Sequence, residues 1–103
     1  MSKHTPGPWL VTGGTFVYAL NAYGTNSFWT NVYGRSQGGY KSPSTTIEEV
    51  EANANLIAAG PDLLEALEGA RKYVAFAFDQ GIEGAEQAGI DLDLAIAKAR
   101  GEA

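Results

Sequence analysis

The chain has 103 residues, of which 45% are apolar and 18% are charged, and its formal net charge is −5. A chain of this length and composition is expected to form one globular domain, 1–103, which excludes a disordered chain. The absence of cysteine excludes a disulfide scaffold, the lack of a long apolar run excludes a membrane span, and the acidic charge excludes duplex nucleic acid as a partner.

The first part of the chain contains three predicted strands, 9–12, 15–23 and 27–33, and the second and third divide their side chains between two faces with a period of two. The segments are rich in aromatic and β-branched residues, and glycine-containing turns separate them. A period of two between such turns is typical of antiparallel strands, so the sequence predicts a β-meander. The stretch 34–46 is rich in Gly, Ser and Pro and is predicted to be a loop, with a candidate fourth strand near Tyr40.

The end of this loop has the features of a helix N-terminus. Thr45 with Glu48, or Thr46 with Glu49, has the spacing of a capping box, and the glutamates favour the positive end of the helix dipole. The first helix is predicted to run from one of these caps to Ala59, because apolar residues recur at helical spacing up to that point.

The dipeptide Gly60-Pro61 interrupts the helical pattern. Proline cannot continue the hydrogen bonding of a helix, but it suits the first turn of a new one, so a second helix is predicted over 61–79. Several glycines follow and favour a loop. The third helix is predicted to begin near Asp91, whose side chain suits an N-cap.

Together these elements predict an α+β fold. An N-terminal antiparallel β-meander of three or four strands, within about residues 9–42, precedes three C-terminal helical segments, within about residues 46–101.

Asn53 is a polar residue at a position where the apolar stripe of the first helix is expected. It lies three residues after Val50 and four before Ile57, so it shares their predicted face. An amide that is buried without a partner costs ~1–3 kcal/mol, so Asn53 needs a hydrogen-bond partner. That partner is either a backbone group of the neighbouring sheet or loop, or a ligand in a cleft or subunit interface.

The chain offers few residues for catalysis. His4 is the sole histidine and stands in a terminal segment beside two prolines, and cysteine is absent. A Ser-His-Asp triad, a Cys nucleophile and a His/Cys metal cluster are therefore excluded. The protein is predicted not to be an enzyme, and no cofactor or metal ion is expected.

The residues that favour a ligand combine aromatic rings, amides and cations in and after the third predicted strand: Trp29, Asn31, Tyr33, Arg35, Tyr40 and Lys41. Aromatic faces stack on nucleobases at ~1–3 kcal/mol per base, and arginine can bind phosphate in a bidentate manner. The structural alternative is that Trp29 and Tyr33 line the interface of a homo-oligomer. The two interpretations are compatible, since a ligand can bind at such an interface.

Charge is divided unevenly along the chain. Residues 1–47 contain no Asp or Glu, whereas residues 48–103 have a net charge of −8. The first part can therefore hold a small anion. The alternative is that helix surfaces collect acidic residues, which strands avoid.

Three motifs resemble those of a group of small bacteriophage and prophage proteins. They are HTPGPW at 4–9, ANANLIAAGPDLLEAL at 52–67 and AIAKARG at 95–101. Asn55 and Gly60 stand where the group usually has Arg and Ala, so no role of that arginine is carried over. The resemblance implies a phage protein in the cytosol of the bacterial host.

The size and element order are also similar to those of phage anti-Thoeris sponge proteins. This resemblance implies a homo-oligomer that binds a nucleotide immune signal, of the cyclic ADP-ribose type or a cyclic oligonucleotide, and sequesters it without cleavage. The implied ligand-binding residues are Trp29, Tyr33, Arg35, Tyr40, Lys41 and Asn53. The alternative is a phage protein-interaction module that inhibits a host defence protein through the acidic helical surface of residues 48–103.

Overall fold

The computed structural model describes residues 4–35 and 44–102, and it confirms the α+β class, since a three-stranded antiparallel sheet precedes three helices. The chain divides into two compact units. The sheet unit comprises residues 5–61, and the hairpin unit comprises, among the described residues, His4 and residues 62–102. That these units form a single domain stays a prediction. No helix within the described ranges is long and apolar enough to cross a membrane.

Strands β1 (Leu10–Thr12), β2 (Phe16–Leu20) and β3 (Asn26–Asn31) form the predicted meander in the order β1-β2-β3. Gly13, in the turn between β1 and β2, has a φ of 62°, a conformation that side chains disfavour and glycine adopts readily. The candidate fourth strand near Tyr40 lies outside the described residues.

Strand β2 ends at Leu20, earlier than the predicted end at residue 23. The cause is Asn21, whose Oδ1 accepts hydrogen bonds from the backbone N–H groups of Tyr23 (2.9 Å) and Thr25 (3.2 Å). Its Nδ2 group donates to the Thr25 hydroxyl at 2.7 Å. An asparagine that bonds the following backbone forms a turn, so it ends the strand although the alternation continues.

Helix α1 (Ile47–Ala58) has Thr46 as its N-cap, so the capping box is formed by Thr46 and Glu49. The Thr46 hydroxyl accepts from the Glu49 N–H at 3.1 Å, and the Glu49 carboxylate accepts from the Thr46 N–H at 3.4 Å. Thr45 has a different role, because its hydroxyl accepts a hydrogen bond from the N–H of Arg35.

Helix α1 contacts β1 and β2 and forms the core of the sheet unit with them. Val50 and Ala54 are buried on the helix, and Val17 and Ala19 are fully buried on β2. Asn53 is exposed, so the prediction that it shares the buried face of Val50 is wrong. The buried stripe follows the i, i+4 spacing of residues 50 and 54, and it is too narrow to include the residue before 54.

Helices α2 (Gly60–Asp79) and α3 (Ala85–Ala99) form a helical hairpin. Two ion pairs join the helices: Arg71 with Asp93 at 3.1 Å, and Glu68 with Arg100. Glu68 precedes Arg71 on α2, whereas its partner Arg100 follows Asp93 in the chain, so the two helices are antiparallel. The predicted division into two helices is confirmed, but the break lies at Ala59, since α1 ends at Ala58 and α2 begins at Gly60.

Helix α3 begins before the predicted start at Asp91, and Gly84 with a φ of 86° is its N-cap. Asp91 lies inside the helix, where its carboxylate accepts a hydrogen bond from the Gln87 side chain at 2.9 Å. The misleading residue is Gly89, because glycine lowers helix propensity by ~1 kcal/mol. Gly89 lies against α2, however, where a Cβ would be 3.6 Å from Val74, and helix packing outweighs propensity at such a contact.

Candidate functional site

The face of the sheet opposite α1, called the outer face, carries most of the large apolar side chains of the strands. Val17 is buried toward the core and side chains alternate along a strand, so Phe16 and Tyr18 point away from the helix. The register places Tyr18 opposite Leu10 of β1 and opposite Trp29 of β3. These residues therefore form a continuous row across the three strands.

Three rings of the outer face, Phe16, Tyr18 and Trp29, form an aromatic platform. The Phe16 and Trp29 rings stack with centroids 5.7 Å apart and planes 26° apart. The Phe16 and Tyr18 rings stack at 6.0 Å and 29°. Trp29 is 62% exposed. The platform is thus a row of three stacked rings of which Trp29 is the one open to solvent, and planar molecules stack on exposed aromatic rings.

A polar network borders the platform next to Phe16. Asn31 lies opposite Phe16 in the register, and its Oδ1 accepts a hydrogen bond from the Thr15 hydroxyl at 3.0 Å. The Asn31 Nδ2 group donates to the Tyr33 hydroxyl at 3.4 Å. An asparagine amide has two donor hydrogens and two acceptor lone pairs, so each side of the Asn31 amide keeps one for a ligand.

Arg35 is fixed through its backbone. Its N–H donates to the Thr45 hydroxyl at 2.9 Å, and its carbonyl accepts from the Thr45 N–H at 2.9 Å. Gly34 allows this close approach, because a Cβ there would lie 2.6 Å from the Cβ of Thr45 and 2.8 Å from Val50. The guanidinium takes no part in these two bonds and stands on an exposed residue. Arg35 is therefore an exposed cation whose backbone is held beside the start of α1, four residues after β3 ends.

The structure brings together part of the predicted ligand-binding set. Trp29 and Tyr33 both belong to the outer face or its polar border, since Tyr33 is bonded to Asn31 and is 81% exposed. Asn53 stands on α1, which covers the other side of the sheet, so one chain does not bring Asn53 to the platform. Tyr40 and Lys41 lie outside the described residues.

The sequence interpretation did not include two of the three platform rings, Phe16 and Tyr18, in the site. The signal was present in the alternation of β2, which puts residues 16 and 18 on one face and residues 17 and 19 on the other. Small and β-branched residues at 17 and 19 suit close packing beneath a helix, whereas the aromatic pair suits an open surface.

The described part of the chain contains no cluster of residues that could bind a metal ion. Within residues 4–35 and 44–102, no three His, Asp or Glu side chains are placed to hold a metal ion together.

The chain is thus a small α+β protein with an open aromatic sheet face. The family model of Salmonella phage P22 protein Y8K6 matches residues 1–103, and the chain belongs to this family. This confirms the prediction of a small phage protein, while the similarity to anti-Thoeris sponges stays a prediction. No curated protein and no solved structure shows a significant match.

Proposed function

We propose that this phage protein binds a nucleotide on the aromatic platform and sequesters it without cleavage, as an anti-defence protein in the infected bacterium. The observation that carries the proposal is the ordered stack of Trp29, Phe16 and Tyr18 on an exposed sheet face. Stacking on a nucleobase contributes ~1–3 kcal/mol per base and needs no special hydrogen-bond pattern. The nucleotide class, a cyclic ADP-ribose-type or cyclic oligonucleotide signal, comes from the resemblance to sponge proteins.

Arg35 is the proposed phosphate ligand among the described residues. Its backbone, four residues after β3 ends, is fixed by two hydrogen bonds to Thr45, so the loop geometry does not depend on its side chain. Guanidinium groups bind phosphate oxygens through two parallel N–H donors. Residues 1–47, which include Arg35, contain no Asp or Glu, although Glu48 and Glu49 follow in the first turn of α1.

Sequestration is proposed in place of turnover because the strands that carry the platform have no carboxylate or imidazole of their own, while the Glu51 side chain of α1 lies against Gly14 in the turn between β1 and β2. The strands and their turns, residues 10–31, contain no His, Asp or Glu. The neighbouring polar groups are the amide of Asn31 and the hydroxyls of Thr15 and Tyr33, which suit hydrogen bonding to a ligand. A ligand held there would be bound and released unchanged.

The test is a depletion experiment on the purified full chain. The protein is mixed with cyclic dinucleotides, cyclic trinucleotides and cyclic ADP-ribose isomers and passed through a filter that retains it. The retained protein is then heated, and both fractions are separated by HPLC. We expect one nucleotide to be missing from the filtrate and to be recovered intact after heating. Recovery as a cleaved product would show an enzyme, and passage of every nucleotide would favour the protein-interaction alternative.

Arg35→Ala supplies the matched variant for this experiment. We expect it to lose retention of the nucleotide while keeping the circular dichroism spectrum of the parent, because only side-chain atoms are removed and the bonds to Thr45 use the backbone. Lys98→Ala, which removes an exposed cation from the hairpin unit, is the control and should retain the nucleotide. Full retention by Arg35→Ala would contradict the proposed phosphate role.

A further inference from the structure

The hairpin unit buries little apolar surface. Among its described residues the buried ones are Leu64, Ala85 and Ile96, whereas large apolar side chains are exposed at seven positions: Leu63, Tyr73, Phe76, Phe78, Ile82, Ile90 and Leu94. Units of about 40 residues usually need disulfides, a metal or oligomerisation to be stable, and this chain has no cysteine. An apolar surface of this extent on a small unit indicates that a partner covers it.

The exposed apolar surface includes a groove that runs between α2 and α3. It has a volume of about 470 Å³, and its apolar lining comes from both helices: Val74, Ala75 and Phe78 from α2, and Gly89, Ile90 and Leu92 from α3. Leu94 lies one helical turn from Ile90 and continues the exposed apolar surface along α3.

The two borders of this groove carry opposite charges. Lys72 stands on the α2 side and Glu86 stands on the α3 side, while the other two charged residues of the lining, Arg71 and Asp93, pair with each other within the chain. In a two-fold symmetric dimer, if residue i of one copy contacts residue j of the other, then residue j of the first copy also contacts residue i of the second. A groove with one basic and one acidic border is therefore complementary to a second copy of itself.

We propose that a second copy of this chain covers the groove, so that two hairpins form an antiparallel four-helix bundle. With the two-fold axis parallel to the helices, α2 of each copy lies beside α3 of the other, and every neighbouring pair of helices is antiparallel. The basic border of one copy then faces the acidic border of the other, and the apolar linings form a common core. The proposed ligand surface lies on the sheet unit, so the interface uses none of its residues.

The first test is the mass of the full chain in solution, measured by light scattering and sedimentation over a range of concentrations. We expect twice the 10.9 kDa of one chain, or a higher even multiple. Ile90→Glu places a charge in the common core twice per dimer and should raise the dimer dissociation constant by about 100-fold or more. Phe76→Glu is the matched control, because Phe76 is 63% exposed on α2 but does not line the groove, and it should remain a dimer.

The second test uses charge reversal, which leaves the core untouched. In a dimer of Lys72→Glu, both borders bring two negative charges together, and in a dimer of Glu86→Lys both bring two positive charges together. Each variant alone should therefore dissociate more readily than the parent. A mixture of the two variants restores opposite charges at both borders. We therefore expect the mixture to form mixed dimers more tightly than either variant pairs with itself.

Several outcomes would overturn the proposal. A parent chain that stays at 10.9 kDa at high concentration would show that no second copy covers the groove. A dimer that survives Ile90→Glu but is lost in Trp29→Ala would place the interface on the outer sheet face. Equal affinities for the charge variants alone and mixed would exclude the proposed pairing of borders. Nucleotide retention is measured separately on the same variants, so failure of the interface and failure of the ligand proposal remain distinguishable.

Discussion

The ring of Trp29 stacks on the ring of Phe16 with centroids 5.7 Å apart, although the two residues lie on different strands. Antiparallel pairing of β2 with β3 creates this contact, because Tyr18 is the direct partner of Trp29 and Phe16 is its diagonal neighbour. The platform is thus ordered before any ligand binds. An ordered surface loses less conformational entropy on binding, which favours a small planar ligand.

Trp29→Ala removes the most exposed ring of this platform, and we expect it to weaken nucleotide binding by ~1–3 kcal/mol, or about 5- to 150-fold. Isothermal titration with the nucleotide found in the depletion experiment measures the change. Tyr23→Ala is the control in the same unit, because Tyr23 is 91% exposed in the turn before β3 and outside the platform. If both variants bound equally well, stacking on Trp29 would be ruled out as a source of affinity.

The strands and the core could be predicted from the sequence because alternation is a strong signal. Residues 16–20 switch between an aromatic face and a face of small or branched residues, and the structure places the second face under α1. The end of β2 could not be predicted this way, since Asn21 continues the alternation and ends the strand through hydrogen bonds that depend on residues 23 and 25.

Long-range packing explains the other differences between sequence and structure. Gly89 resembles a helix breaker in the sequence, but in the hairpin it packs against Val74, a residue 15 positions earlier in the chain. Asn53 resembles a buried polar residue, but the narrow contact of α1 with the sheet leaves it exposed. For the candidate site, the sequence predicted Trp29 and Tyr33, while the inclusion of Phe16 depends on knowing which face of the sheet the helix covers.

Gly34 is predicted to resist substitution because its neighbours leave no space. A Cβ at this position would meet Thr45 at 2.6 Å and Val50 at 2.8 Å, so Gly34→Ala should lower the free energy of unfolding by about 1–3 kcal/mol. Gly69→Ala is the matched control, because Gly69 lies within α2 with nothing within 4 Å of its Cβ position. That variant should gain about 0.5–1 kcal/mol. Urea unfolding followed by circular dichroism compares them, and equal effects would contradict the close packing at Gly34.

Thr46 is predicted to stabilise α1 through its side-chain oxygen. Thr46→Ala removes the acceptor for the Glu49 N–H, and we expect the free energy of unfolding to fall by ~1 kcal/mol. Thr46→Ser keeps the oxygen and should stay within a few tenths of a kcal/mol of the parent. Urea unfolding of the three proteins gives the comparison. A serine variant as unstable as the alanine variant would show that the methyl group matters and the cap does not.

Glu68 and Arg100 form the less exposed of the two ion pairs between α2 and α3. Their side chains are 33% and 28% exposed, compared with 60% and 50% for Asp93 and Arg71. Removal of one partner leaves a half-buried charge without its counter-ion, so Glu68→Ala should lower the free energy of unfolding by about 1–3 kcal/mol. The Nε of Arg100 is buried without a hydrogen-bond partner, which adds to the cost of keeping this side chain in place.

A double-mutant cycle separates the pair interaction from the loss of packing. In this cycle Glu68→Ala and Arg100→Ala are made singly and together, and unfolding is followed by the helical signal. The double variant should be more stable than the sum of the single effects predicts, because it leaves neither charge unpaired, and we expect a coupling energy of about 1–2 kcal/mol. Simple additivity of the two substitutions would mean that the ion pair contributes nothing to the hairpin beyond the packing of each side chain.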